Sequence, residues 1–405
     1  FVVEDVTIDG TNMVTSTSED YLLVVQNAGD KATFDNVTIQ NYDAKKVYLE
    51  GNTTFVAPQE FDNIEIPAGY VLVYENGMYK VKPAVASITA DGTPTTYYET
   101  LAGAVEAATA GQTVNLLADA TGSGLKINKN VTIDFGGFTY TINQAVGSTG
   151  TESQGFQLLK NNTVTLKNGN IAIAENTNVK WMFNAYADVT LESLNVNCAN
   201  MAAPAENEAN YVLVVNNGGS ATPTVTYTNV TVTNFPSTAT AQIWLDPTTT
   251  LKAGAGLESS IETGEGYVVV YNNGEYTAIG AVAKIGEAIY PSVAAAVAAA
   301  QAGDVIELLV NVTEDVTVNK SVTIDGDDKN YTGTMVGNAG LTITIQNVNF
   351  VNAGFAKNTK STTGTYTFKD CTFDGAAKTY AYPLKFRGAN KIIVENCTVK
   401  NYLYS

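Results

Sequence analysis

Along most of the chain, apolar residues fall at every second position, in short runs broken by Asn, Asp, Ser or Gly. The clearest form is eight residues long: apolar-x-apolar-x-(Asn/Asp/Ser)-apolar-x-apolar. It reads ATFDNVTI at 32–39, VTLKNGNI at 164–171, VTLESLNV at 189–196 and VTYTNVTV at 225–232. It returns as ITIQNVNF at 343–350, YTFKDCTF at 366–373 and IIVENCTV at 392–399. A period of two puts alternate side chains on one face, so each half of the motif predicts a short strand. The middle residue is of a type that enters the left-handed backbone region, which supplies a bend between the halves. Successive motifs start 25, 23 or 26 residues apart, and once 36 apart, where Asn200–Asn210 (NMAAPAENEAN) adds an acidic loop. A bend repeated at this interval predicts stacked coils with backbone hydrogen bonds between them. The expected class is all-β, a solenoid in which no coil buries its apolar row alone.

Two stretches follow a helical period instead. Tyr97–Leu117 reads YYETLAGAVEAATAGQTVNLL, and Tyr290–Leu309 reads YPSVAAAVAAAQAGDVIELL. Leu101, Ala104, Val105 and Ala108 share one helical face, as do Val293, Ala296, Val297 and Ala300. Thr100 and Ser292 are expected N-caps, and Gly111 and Gly303 expected C′ residues, for helices over 100–110 and 292–302. Each passes into an apolar strand and then VTID, at 131–134 and 322–325. The open end of a coil stack exposes apolar side chains and strand edges, so such a helix reads as an end-seal.

The helices belong to a longer repeat of about 190–197 residues. YLLVVQNAG (21–29) returns as YVLVVNNGG (211–219), and AKKVYLEGNTTF (44–55) as AQIWLDPTTTL (241–251). GYVLVYENGMYKV (69–81) returns as GYVVVYNNGEYTA (266–278), where Asn76-Gly77 and Asn273-Gly274 predict tight hairpins. A further hairpin is expected around Asp91-Gly92. The parse is the C-terminal part of a module (1–83), a complete module (84–280) and the N-terminal part of another (281–405), cut from a longer tandem array. The joint at Val81–Ala86 is short, so neighbouring modules should keep a fairly fixed relation.

Composition narrows the partners. The net charge of −18, with 22 Lys and Arg against 40 Asp and Glu, argues against nucleic acid, which needs basic neutralisation of its phosphates. No apolar run reaches the roughly 18 residues needed to span a bilayer, so no membrane insertion is expected. An acidic, Thr- and Asn-rich chain fits an extracellular or cell-surface protein, or a virion surface. Three cysteines, Cys198, Cys371 and Cys397, cannot all pair within the chain. Cys371 and Cys397 occupy the same motif position one coil apart and are expected inside as small, reduced apolar residues, with a disulfide between them as the alternative.

Candidate chemistry is sparse. The chain has no His and a single Arg, Arg387, read as an exposed coil residue beside Lys385. IDGDDKN at 324–330 is the densest acidic cluster. Its alternating carboxylates could hold Ca²⁺ as a cofactor, but the run lacks a full ligand loop and reads as a solvated turn. A glycosidase needs two acids flanking a cleft about 5–10 Å apart, and none of the 40 acids is singled out. Tyr48 and Trp244 hold equivalent repeat positions, each followed two residues later by an acid, Glu50 or Asp246. Exposed, such a pair would stack on a sugar; the alternative is packing beneath a loop. Trp181 alternates with Phe183 and could face either way. The Thr-rich strands also fit an ice-binding ladder, a reading ranked lower because Thr is simply a good strand former.

The entry helix, the VTID block and the Asn-centred coil motif together resemble the right-handed parallel β-helix proteins of the pectate-lyase-like superfold. The resemblance covers most of the chain. It implies right-handed coils, and it admits polysaccharide lyases and hydrolases, phage tailspikes, and bacterial surface adhesins or stalks. Lyases of that group use an Arg or Lys base with acidic Ca²⁺ ligands, and the hydrolases use clustered Asp, commonly with His. This chain departs from both. The expectation is therefore a non-catalytic extracellular structural or adhesive repeat protein, with carbohydrate or a host surface as partner and self-association or neighbouring modules possible contacts. The alternative is a tailspike-like or polysaccharide-processing β-helix with a carboxylate site in a groove.

Overall fold

The computed structural model describes residues 1–13, 21–42, 46–90, 93–203, 209–218, 222–236, 242–375, 382–388 and 391–402. Strand makes up 52% of the chain and helix 5%, so the class is all-β. The chain divides into two compact units, Phe1–Trp244 with Thr249–Ser260, and Leu245–Thr248 with Ile261–Ser405.

In the first unit, Thr113–Leu116, Val131–Asp134, Thr163–Ile173, Asp188–Asn197, Thr224–Thr233 and Thr250–Lys252 pair in that order, all parallel. A second parallel sheet takes Leu125–Ile127, Gln154–Leu158, Trp181–Ala185 and Tyr211–Val215. Every pairing joins one turn of chain to the next, as the coil motif predicts. Register follows the motif: Val164, Val189 and Val225 align, as do Ile171, Val196 and Val232. A one-residue slip would turn each apolar row outward.

The N-terminal part of this unit repeats the plan. Val2–Glu4, Lys31–Asp35 and Thr54–Val56 are parallel, with Leu23–Val25, Val47–Leu49 and Ile64–Glu65 in a second sheet. The hairpin Tyr70–Glu75/Met78–Pro83 adds antiparallel to Thr54–Val56. Its turn residues Asn76 and Gly77 have φ of 51° and 77°, the geometry a two-residue turn requires. Asn273 and Gly274, at 50° and 87°, turn the corresponding hairpin of the second unit. The joint is pinned within the first unit: Lys82 Nζ reaches Glu75 (3.3 Å) and Glu99 (3.0 Å), and Ala84 N donates to Gly69 O (2.9 Å). The hairpin expected near Asp91-Gly92 is present as Ala86–Ala90/Thr93–Tyr98, though its turn lies outside the described residues.

The second unit is the plainest stack. Each coil gives one strand to each of three parallel sheets: Thr342–Gln346, Asn349–Val351 and Gly354–Lys357 in one coil, then Thr365–Lys369, Thr372–Asp374 and Leu384–Phe386 in the next. Inside, Ile306, Ile324, Ile345 and Phe368 form one row, and Tyr331, Phe350 and Phe373 another. Phe350 and Phe373 stack with ring centroids 4.8 Å apart and planes 1° from parallel. These rings are part of the unit's buried core.

The bends are where the motif places them. Asn36, Asn168, Ser193, Asn229, Asn347, Asp370 and Asn396 all have φ between 52° and 58°. Several also reach back one coil with the side-chain amide. Asn168 Nδ2 donates to Asp134 (3.1 Å), and Asn347 Nδ2 to Asp325 (3.0 Å). The same residue thus supplies the bend and a hydrogen bond between coils.

Both helices form, as α1 (Leu101–Ala107) and α2 (Val293–Ala299). All eight residues assigned to their apolar faces are buried. Thr100 Oγ1 accepts from Gly103 N and Ser292 Oγ from Ala295 N, each at 3.0 Å. The C-terminal ends need a correction. The helices stop at Ala107 and Ala299, with Ala108 and Ala300 as extended C-caps, so Gly111 and Gly303 are not C′ residues. Their left-handed φ of 86° and 97° serves the turn into the next strand, where Gly111 N donates to Asn130 O and Gly303 N to Ser321 O. The orphan helical carbonyls are met by lysines from the following coil. Lys129 Nζ donates to Glu106 O (2.7 Å) and Ala108 O (2.9 Å), and Lys320 Nζ to Ala300 O (2.9 Å). A cation at a helix C-terminus also opposes the macrodipole.

Candidate functional site

Tyr48 lies in Val47–Leu49, where Val47 and Leu49 are fully buried and alternation turns Tyr48 outward, half-buried. The chain then turns sharply. Gly51 admits this corner because a Cβ there would collide with the Tyr70 ring. Thr53, 1% exposed, donates to Glu50 O at 2.6 Å and locks the turn. Glu50 is thereby held beside Tyr48, whose hydroxyl donates to Glu50 Oε2 at 3.3 Å. Glu65 pairs in register with Tyr48 from the next coil. Partial burial, then Glu50 and Glu65, push the Tyr48 hydroxyl pKa above its ordinary value. The Tyr21 ring leans on Tyr48 at 5.3 Å between centroids and 51° between planes.

Trp244 repeats the ring pairing of Tyr48. It is half-buried on Ile243–Leu245, between two buried apolar neighbours, and Tyr211 leans on it at 5.8 Å and 58°. Tyr21 and Tyr211 open the repeated YLLVV and YVLVV segments, so the repeat places both members of each pair. The sequence reading singled out Tyr48 and Trp244 but missed their tyrosine partners. The signal was available in the repeat itself. Trp181 is half-buried and donates its indole N–H to Ala209 O at 3.2 Å, while Phe183 is buried and stacks on Phe156 at 5.2 Å.

The other candidates stay apart. Asp325 accepts from Gln346 Nε2 (2.7 Å), Asn347 Nδ2 (3.0 Å) and Asp327 N (3.1 Å). Burial raises its pKa, but these hydrogen bonds outweigh burial and hold it below the usual value. Asp327 and Asp328 are exposed at φ of 42° and 59°, and Asp327 pairs with Lys329 at 2.9 Å. This is a solvated turn tied by hydrogen bonds. Among the described residues no group of three or more His, Cys, Asp or Glu is arranged to hold a metal ion. Arg387 is exposed, just beyond Leu384–Phe386, and its backbone N donates to Lys357 O at 3.0 Å.

Surface recesses are polar. One of about 600 Å³ lies between Glu175–Asn178 and Ala199–Ala202, and one of about 470 Å³ lies beside Asn162, Tyr186 and Asp188. A third, about 540 Å³, lies along Leu23–Lys31. Each has one carboxylate among its described lining residues: Glu175, Asp188 or Asp30. Asp188 is already engaged, accepting from Thr224 N at 2.9 Å. Two-carboxylate hydrolysis has no seat in these recesses.

The cysteines are free thiols. Burial pushes the Cys198 thiol pKa up to about 12, and burial does the same for Cys371. Cys371 is 1% exposed, as expected, whereas Cys397 is only half-buried, because no described coil lies over it. Lys357 was not anticipated. Fully buried, it donates to Thr359 O (2.9 Å) and Ser361 O (2.5 Å), closing the loop that follows its strand.

Comparison with family models, with characterised proteins and with solved structures returned no match.

Proposed function

We propose that this chain is a non-catalytic, extracellular structural or adhesive repeat protein, built of right-handed parallel β-helix modules of the pectate-lyase-like kind. Each module opens with its Ala-rich helix as an end-seal and closes with a hairpin. The work of such an array is reach and display at a cell surface. The observation that carries the reading is the repetition of one half-exposed aromatic ring, Tyr48 and Trp244, each backed by a tilted tyrosine, the half-buried Tyr21 and the buried Tyr211. A display protein repeats its contact surface module by module, whereas a hydrolase needs one converged pair of acids. The single-carboxylate recesses and the lone exposed Arg387 support the same reading.

The test is to incubate the full chain with a panel of polysaccharides, measuring binding and reducing-sugar release in parallel. Binding or inertness without release is the expected result. Reducing-sugar release above a boiled control would sink the proposal in favour of a polysaccharide-processing spike.

A further inference from the structure

We infer that Tyr48, backed by Tyr21, and Trp244, backed by the buried Tyr211, are two related binding platforms for neutral glycan chains. The inference rests on the display reading and names its ligand. The surface of a pyranose has two characters, a C–H face and a rim of hydroxyls. A ring half-exposed on a rigid strand matches the first, and a carboxylate beside it matches the second.

Tyr48 supplies both. Its ring stands between buried Val47 and Leu49, so the backbone beneath it is fixed by the core. The tilted Tyr21 ring forms an angled apolar wall rather than a flat stack, leaving Tyr48 half-buried. Glu50 has one oxygen accepting from Gly51 N (3.2 Å) and the other from the Tyr48 hydroxyl (3.3 Å). An ionised carboxylate offers about four acceptor positions, so both oxygens retain capacity for sugar hydroxyls. Glu65, in register with Tyr48, brings a second carboxylate to the ring. Two acids here, on a chain of net charge −18, repel uronate, sialate and sulfate groups. The same charge pattern leaves a neutral sugar free to approach.

Repetition makes the argument stronger. If the pairs only filled space, interchanging Tyr and Trp would disturb a packed corner, since Trp is the larger. The pair geometry instead stays close, 5.3 Å and 51° against 5.8 Å and 58°. Both platforms belong to the first unit, so a long glycan can engage them together and gain avidity from two weak contacts.

The test uses the full chain with neutral oligosaccharides (gluco-, galacto- and manno-configured) and with an oligogalacturonate of matched length. Calorimetric titration of the best neutral binder should give two sites per chain. Tyr48→Ala and Trp244→Ala should each leave one, and the double variant should lose binding at least tenfold while keeping its circular dichroism and melting temperature. Tyr48→Phe keeps the ring and should bind within about threefold, the range expected for one neutral hydrogen bond lost at a half-exposed site. In a Trp181→Phe background, Trp244 is the sole indole, and its emission should shift on adding sugar. The inference is overturned if no neutral glycan binds, if the double variant binds like the parent, or if oligogalacturonate binds as well. None of these outcomes touches the display reading, which fails separately, on release of reducing sugar.

Discussion

The coil at 31–42 and the coil at 391–402 carry the same motif, and their fates differ. Both bend at a left-handed asparagine, Asn36 with φ of 52° and Asn396 with φ of 52°. Both pair parallel with the coil before them. On 31–42 lies a further strand, Thr54–Val56, and Ala32 and Phe34 are 1% and 6% exposed. No described strand covers 391–402, and Ile392 and Val394 are 45% and 52% exposed. The lesson concerns where the hydrophobic gain resides. Coil geometry is set locally by alternation and the bend, while burial comes from the neighbour laid on top. The shape of a coil is therefore local, whereas its stability depends on the neighbour laid on it.

This contrast can be broken by substitution. Phe34 meets Phe55 at 5.1 Å and Phe61 at 5.9 Å, edge to face. Phe34→Ala should cost about 3–5 kcal/mol by denaturant titration. Val394→Ala should cost under about 0.5 kcal/mol, as for an exposed site. Equal losses would mean that both rows are covered in solution. The bend comes next. Asn36→Ala places a Cβ-bearing residue without a compensating amide in the left-handed region, at about 1–2 kcal/mol, and Asn36→Gly should recover most of that. The same exchange at Asn396 should shift the midpoint less, since that coil carries less of the cooperative core.

Thiol chemistry reads the same contrast without mutation. At pH 8 an aromatic disulfide reagent should modify Cys397 in the native chain. Cys198 and Cys371, buried and with thiols pushed up to about 12, should react only on unfolding. Three thiols reacting at one rate would refute the ordering of the coils by cover. The smallest expected effect is acid sensitivity. Asp325 has a folded pKa below its ordinary value, so its contribution is present above the unfolded pKa. It is lost as pH falls through the folded value. Between pH 5 and pH 2 the melting temperature of the parent should fall more than that of Asp325→Asn, whose amide does not titrate.

Much of the fold was legible because its physics is local. Alternation marks the rows, and the asparagine marks the bend. Thr100 and Ser292 mark the helix starts. What escaped was decided by neighbours distant in the chain. Gly111 looked like a helix terminator because it follows an Ala-rich run, but the helix ends earlier, where Lys129 from the next coil takes its carbonyls. Nothing in the sequence singled out Lys357, whose burial depends on the loop carbonyls of Thr359 and Ser361. At the candidate site the sequence located Tyr48 and Trp244 by repetition. The tilt of Tyr21 and Tyr211 and the register with Glu65 needed the coil-to-coil pairing.

The parallel pairing in the second unit also determines how it bears load. Its hydrogen bonds point from coil to coil, so force applied along the stacking direction acts on one ladder row after another. Coils should then peel off singly. With motif starts 23 and 26 residues apart, each event would free about 80–90 Å of chain at full extension. A stack of this construction would lengthen in small steps under tension instead of failing at once, dissipating work at every step.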